Sequence, residues 1–307
     1  MRSLQKSKQQ KSLKIMALKT SKHGFVIVDK EVGWTSHDVV AKARGIFATK
    51  KIGHSGTLDP PATGVLILGV GKATRLLRFL TDLQKEYVAT MVIGSETDTL
   101  DAEGVTTKTT DHRPTLHDLQ ESSKNFVGII DQIPPMVSAV KVQGKRLYEL
   151  AREGKEIQRE PRKVAIHELS ISDGLESDVF QLKIKCGSGT YVRSLVSDIA
   201  QKAGSLAHVG SLRRTAIGSF NETVANKIEK ASLIDLTEGL RDYEMIQVDD
   251  KMSDRIRVGA VVHLEEFSHL TTDGPWGIVD LNNNLLAMYE KFKNETLKPA
   301  VVLSQEH

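Results

Sequence analysis

The sequence predicts an α+β protein, and three observations carry that expectation. Apolar runs with strand character and segments with helical spacing alternate irregularly along the chain, without the strict alternation of a doubly wound sheet. At 307 residues, 39% hydrophobic and 26% charged, the chain has enough material for one large domain or two smaller ones. After Tyr243 the composition changes: residues 249–307 hold ten acids against six cations and several short β-like runs.

The elements follow in chain order. Residues 1–23 hold seven cations and no acid, and read as a basic disordered tail that activity does not require. Gly24–Asp29 (GFVIVD) reads as a buried strand. Thr35 and Asp38 form a capping-box pattern before Val39, Val40, Ala43, Ile46 and Phe47, which predicts a helix of about three turns. A glycine-rich loop, Gly53–Gly64, precedes the apolar stretch Val65–Val70. Lys72–Leu83 and Leu116–Phe126 are expected as helices, and Glu86–Ile93, Val164–Ser172 and Val179–Cys186 as strands. A helix is expected to run from the Tyr191–Arg193 region to about Lys202. In the C-terminal region, Val258–Leu264, Trp276–Leu281, Leu285–Tyr289 and Pro299–Leu303 read as short strands of a small β domain, 244–307.

Charge and cysteine content narrow the function. The net charge of +3 comes from the tail; without it 35 cations face 39 acids. Nucleic-acid binding must therefore rest on local clustering. Residues 134–163 supply such a cluster, with eight cations, among them Lys141, Lys145, Arg146, Arg152 and Arg162, against four acids. The single Cys186 excludes an internal disulfide and a Cys/His metal cluster, and a reducing, cytoplasmic setting is expected. No run of 18 apolar residues suggests a membrane span. Gly69–Thr74 superficially resembles a phosphate loop, but that pattern requires Gly at 66 and Ser or Thr at 73, where Leu66 and Ala73 stand.

The loop G-H-S-G-T-L-D-P-P-A-T-G carries the candidate chemistry. Pro60 pushes Asp59 toward extended geometry, and the flanking glycines allow close approach of a ligand. A rigid loop presenting one carboxylate suits a nucleophile. Taken alone, these residues favour a plain Asx-type turn. Three partners change the balance. An extended Tyr191-Val192-Arg193 would place tyrosine and arginine on one face, with Arg193 paired bidentately to the carboxylate. A strand through Lys85-Glu86-Tyr87 would put Lys85 and Tyr87 on one side, and Tyr87 could stack on a base. His54 lies five residues before Asp59. A glycosidase built on Asp59 would need a second carboxylate, and none lies in these segments.

In this order the segments resemble the TruB-type tRNA pseudouridine synthases over most of residues 24–220. The Asp59 loop is similar to that family's signature around its catalytic aspartate. Lys85-Glu86-Tyr87, the stretch Pro134–Lys141 with Gly144 and Tyr148, Gly189–Arg193, and Leu212-Arg213-Arg214-Thr215 resemble its other motifs. Two departures stand out: Glu31 where a proline usually follows Lys30, and Pro61 beside the aspartate.

The resemblance implies a mixed-sheet pseudouridine synthase catalytic domain over 24–243, an RNA-gripping insertion at about 134–163, and a PUA-like β domain over 244–307. It implies isomerisation of uridine to pseudouridine at position 55 in the T arm of tRNA, with Asp59 catalytic and no cofactor or metal. His54, Tyr87, Tyr191, Arg193 and Leu212 would bind the flipped uridine, and the insertion cations the RNA. A monomer without a protein partner is the family's usual state. The alternative is an RNA-binding, tRNA-folding chaperone whose main role is not catalytic.

Overall fold

The computed structural model describes residues 23–138, 157–267 and 270–303, with the backbone alone of 141–142 and 145–146. Strand β1 (Gly24–Lys30) pairs antiparallel with β3 (Thr63–Val70), from Gly24 opposite Val70 to Lys30 opposite Gly64. Both strands are apolar at almost every position because both of their faces are covered. Val26, Val28, Leu66 and Leu68 pack beneath Val39, Val40 and Ala43 of helix α1 (Ser36–Ile46). Phe25, Ile27, Val65 and Ile67 enter a second core on the opposite face. Thr35 caps α1 through the expected reciprocal bonds with Asp38.

Strand β2 (Ile52–His54) pairs with one end of β3, and β12 (Ala207–Ile217) runs parallel to its other end, Arg214 beside Gly64. The turn after β3 is a short 3-10 helix, Gly71–Arg75, followed by helix α2 (Leu77–Asp82), so the single helix expected over 72–83 is split in two. Strand β4 (Lys85–Ile93) crosses the centre of the sheet, and β5 (Ser95–Thr97) pairs with β6 (Thr106–Thr109) as a small ribbon. Helix α3 (Leu116–Ser123) precedes β7 (Gly128–Gln132). Within the insertion, β8 (Lys141–Val142) pairs with β9 (Lys145–Arg146). Strand β10 (Arg162–Asp173) returns antiparallel to β7, with Arg162 opposite Gln132, so the insertion leaves from the end of a two-stranded hairpin. Strand β11 (Val179–Cys186) then fills the place between β10 and β4. The strand order is β1-β3-β12-β4-β11-β10-β7, with β2 on β3 and β13 (Phe220–Asn221) on β12.

Helix α4 (Val192–Lys202) buries Leu195, Val196, Ile199 and Ala200 against Ala89, Met91, Leu182, Ile184 and Val209 of the central strands. Each leucine, valine, isoleucine or methionine among these contributes about 1.5–3 kcal/mol on burial.

A separate five-stranded sheet ends the chain, in the order β14 (Met245–Gln247), β16 (Trp276–Val279), β17 (Leu285–Lys291), β18 (Thr296–Val302), β15 (Val262–His263). Helix α5 (Asp250–Arg257), capped by Asp249, covers part of it. It was not expected: only Met252 and Ile256 give it an apolar stripe, and the strand expected from Val258 begins only at Val262. One face of this sheet, with Trp276 and Tyr289, makes its own core. The other, with Val279, Leu285, Met288 and Val301, joins Phe25, Leu76, Phe79 and Leu80 in a single cluster. The expected boundary after Tyr243 thus separates two sheets that share a core.

Candidate active site

Asp59 lies in the loop between β2 and β3, and three buried side chains hold that loop. Ser36, in the first turn of α1, accepts from the Leu58 amide at 2.9 Å and donates to the Leu58 carbonyl at 3.2 Å. Lys30, at the end of β1, donates to the carbonyls of Trp34, Glu31 and Pro60 at 2.6, 3.1 and 3.2 Å. Burial pulls its ammonium down to about 8 despite the nearby Asp59. Glu31, in place of the usual proline, is accommodated in an exposed ion pair with Lys227 at 2.6 Å. Arg214 on β12 donates through Nε to the Val65 carbonyl at 2.7 Å and through Nη2 to the Gly56 carbonyl at 3.2 Å. This requires glycine at 64: its φ is +104°, and a Cβ there would stand 2.2 Å from the Arg214 carbonyl oxygen.

Arg193 reaches Asp59 as the sequence suggested, but its geometry differs in two ways. Tyr191 is the extended N-cap of α4 and Arg193 is the helix's second residue, so the three residues are not an extended segment. Both side chains still meet one cavity because Tyr191 lies outside the helix. The guanidinium is also split between acceptors instead of pairing bidentately. Nη2 is 2.9 Å from Asp59 Oδ2 and donates to the Val137 carbonyl at 2.8 Å. Nη1 donates to the Thr99 carbonyl at 2.6 Å and lies 3.6 Å from Asp101 Oδ2. The Arg193 side chain is 4% exposed and that of Asp59 37%, so a buried cation holds a carboxylate that substrate can reach. The N-terminus of α4 adds its positive end to the same place.

Asp101 escaped the sequence reading. It is a second, largely buried carboxylate, fixed by Thr99 Oγ1 at 2.6 Å and the Glu103 amide at 3.2 Å. Leu100, with φ +61°, lies between the two residues whose oxygens face the arginine. Gln132, at the end of β7, was missed as well. Its amide accepts from the Tyr191 N–H at 2.8 Å and donates to the Tyr191 carbonyl at 3.0 Å.

Around Asp59 opens a cavity of about 300 Å³, walled by Tyr87, Tyr191, Arg193, Leu212 and Arg214. Lys85 and Tyr87 both line it, as the alternation along β4 requires. Desolvation pushes the Tyr87 phenol above its ordinary range, so it is protonated at neutral pH. Lys85 donates to the carbonyls of Thr81 and Leu83, and burial lowers its ammonium to about 8. His54 is not among the lining residues. Its Nδ1 accepts from the Gly56 amide at 3.3 Å, and its ring stands edge-on to His37 with centroids 5.4 Å apart. Burial, then the charges of His37 and Arg214, lower it to about 4 and leave it neutral.

Of the insertion cations, Arg162 is exposed at the start of β10. Lys141, Lys145 and Arg146 are described as backbone only, and Arg152 lies outside the described residues.

A cavity of this volume, walled by two tyrosines and holding the Arg193-paired Asp59, has the size and chemistry for a single nucleoside. The fold agrees. A crystal structure of a Cbf5-Nop10-Gar1 complex matches with TM-score 0.69 at 24% identity, over 92% of this chain and 85% of that one. An archaeal box H/ACA sRNP Nop10-Cbf5 complex matches with TM-score 0.64 at 21% identity, over 92% and 86%. These matches show the fold. In sequence, residues 44–192 match the family described as TruB family pseudouridylate synthase (N terminal domain). The tRNA pseudouridine synthase B of Oceanobacillus iheyensis is 39% identical over 300 residues, covering 92% of this chain and 98% of that protein. That of Thermobifida fusca is 38% identical over 301 residues, with the same coverage. The chain belongs to the TruB family of pseudouridine synthases.

Proposed function

We propose that this chain isomerises uridine to pseudouridine in tRNA, at position 55 of the T arm, with Asp59 as the nucleophile. The observation that carries this reading is the half-buried Asp59 carboxylate held 2.9 Å from the buried Arg193, inside a cavity walled by Tyr87, Tyr191 and Leu212. The relatives named tRNA pseudouridine synthase B match along nearly their whole length and supply the substrate class.

The uridine must leave its stack to reach the carboxylate. Tyr87 stacks on the flipped base, while Tyr191 and Leu212 close the cavity around it. His54, neutral and just outside the cavity, fills the gap the base leaves. Asp59, held by Arg193, attacks C1′ of the sugar or C6 of the uracil. The N1–C1′ bond breaks, uracil turns, and C5 bonds to C1′, while the bond from Asp59 to C1′ or C6 breaks and returns the carboxylate. C5 then loses a proton and N1 gains one, so the reaction is an isomerisation without redox change. Tyr87, protonated at the start, relays protons and is not the initial base. The cations Lys141, Lys145, Arg146, Arg152 and Arg162 hold phosphates and give binding its salt dependence.

Asp59→Asn tests the assignment. With tRNA tritiated at uracil C5, tritium release is expected to vanish while the Kd for tRNA stays within a few-fold. Release at the wild-type rate would exclude Asp59 as nucleophile. Mapping pseudouridine in tRNA from cells lacking the protein tests the target, and an undiminished signal at position 55 would overturn it.

A further inference from the structure

Helix α2 touches the catalytic loop on one side and the C-terminal sheet on the other. On the loop side, the Thr81 hydroxyl lies 2.8 Å from the Ser55 carbonyl oxygen, four residues before Asp59, and 3.0 Å from the Leu77 carbonyl of its own helix. Thr81 lines the cavity, and its carbonyl accepts from Lys85 Nζ, another lining residue. On the far side, Leu76, Leu77, Phe79 and Leu80 are buried with Val279, Leu285, Met288, Val301 and Leu303. Tyr243 donates its hydroxyl to the Phe79 carbonyl at 2.7 Å and sets its ring edge-on to Phe79 at 5.8 Å. Arg78 pairs with Glu290 at 3.2 Å, and Arg75, just before the helix, donates to the Val302 carbonyl at 2.6 Å.

We propose that Thr81 is a positioning residue for the reaction, and that through it the C-terminal sheet sets the placement of the Asp59 loop. The inference rests on the reading of Asp59 as nucleophile. A helix of six residues has little stability of its own, so its placement comes from what packs on it. Its one hydroxyl facing the cavity ties that placement to the start of the loop. A loop free to shift by a fraction of an ångström loses alignment with the flipped uridine while binding of the tRNA body is unchanged. A hydroxyl serving only its own helix, through Leu77, would affect stability and not the chemical step.

The test compares single-turnover rates on tRNA with tRNA Kd values for Thr81→Val, Thr81→Ser and Tyr243→Phe. Thr81→Val keeps the shape and removes the donor; it is expected to slow the chemical step about tenfold or more, with the Kd unchanged. Thr81→Ser restores the rate. Tyr243→Phe, remote from the cavity, slows the step by a smaller factor, and adds nothing on top of Thr81→Val because both loosen the same link. A wild-type rate in Thr81→Val overturns the positioning role. A wild-type rate in Tyr243→Phe, or a fully additive double variant, overturns the coupling to the C-terminal sheet. Persistent turnover in Asp59→Asn would refute the nucleophile assignment instead, so the two failures are distinguishable.

Discussion

At the scale of single residues, the site turns on how one guanidinium is shared. Arg193 offers its fork to Asp59, Asp101 and the carbonyls of Thr99 and Val137 at once. Lysine keeps the charge but has a single nitrogen, which cannot span acceptors on two sides. Arg193→Lys is therefore expected to lower kcat about a hundredfold, the order seen when a preorganised donor is lost, with a smaller change in tRNA Kd. Single-turnover kinetics beside filter binding checks this; a near-normal rate would mean that charge alone suffices. His54 gives a pH signature. Its folded value of about 4 lies below the ordinary 6.5, so between those values the unfolded chain binds the extra proton. Stability is unaffected by this residue above pH 6.5 and falls as pH drops from there towards 4. Thermal melts of His54→Gln should show a flatter decline in Tm between pH 7 and 5 than wild type. An identical slope would mean that His54 is not desolvated in solution. Asp59, Tyr87, Tyr191, Arg193 and Leu212 each sit in a motif of the sequence, and all five line one cavity. Asp101 was not legible in the sequence. Its segment T-D-T-L-D-A-E-G reads as an ordinary polar turn, and nothing along the chain links it to an arginine 92 positions later. Gln132 was hidden for the same reason, since its value lies wholly in a backbone 59 positions away.

At the scale of elements, local rules were readable where one element decides its own shape. The Thr35/Asp38 capping box and the alternation along β4 came through intact. Elements shaped by neighbours were not readable. The stretch 72–83 breaks between a 3-10 turn and α2, and α5 forms with little apolar periodicity over a sheet absent from its own sequence. Helix α1 does two jobs that mutation can separate. Thr35→Ala removes the cap and should cost about 1 kcal/mol in stability, with kcat unchanged. Ser36→Ala leaves the buried amide and carbonyl of Leu58 without their partner, a cost of about 1–3 kcal/mol, and should also lower kcat because Leu58 adjoins Asp59. Denaturant titration beside turnover separates them; equal losses of kcat in both variants would refute the division.

At the scale of the whole molecule, the two sheets share one core, Phe25 and Phe79 lying in the same cluster as Leu285 and Met288. The expected split after Tyr243 is thus a change of sheet without a break in packing. Calorimetry should show a single unfolding transition, and two resolved transitions would restore the picture of independent domains. The parallel contact of β3 with β12 sets Gly64 beside Arg214, residues 150 positions apart in the chain. The Arg214 wall of the cavity is therefore in place only once β3 and β12 have met across everything between them in the chain. Loop-closure entropy delays such long-range pairings in folding. During refolding from denaturant, helical and sheet signals should return before catalytic activity does. A nascent chain released from the ribosome would pass through a stage with most of its strands formed and nothing yet able to hold a uridine.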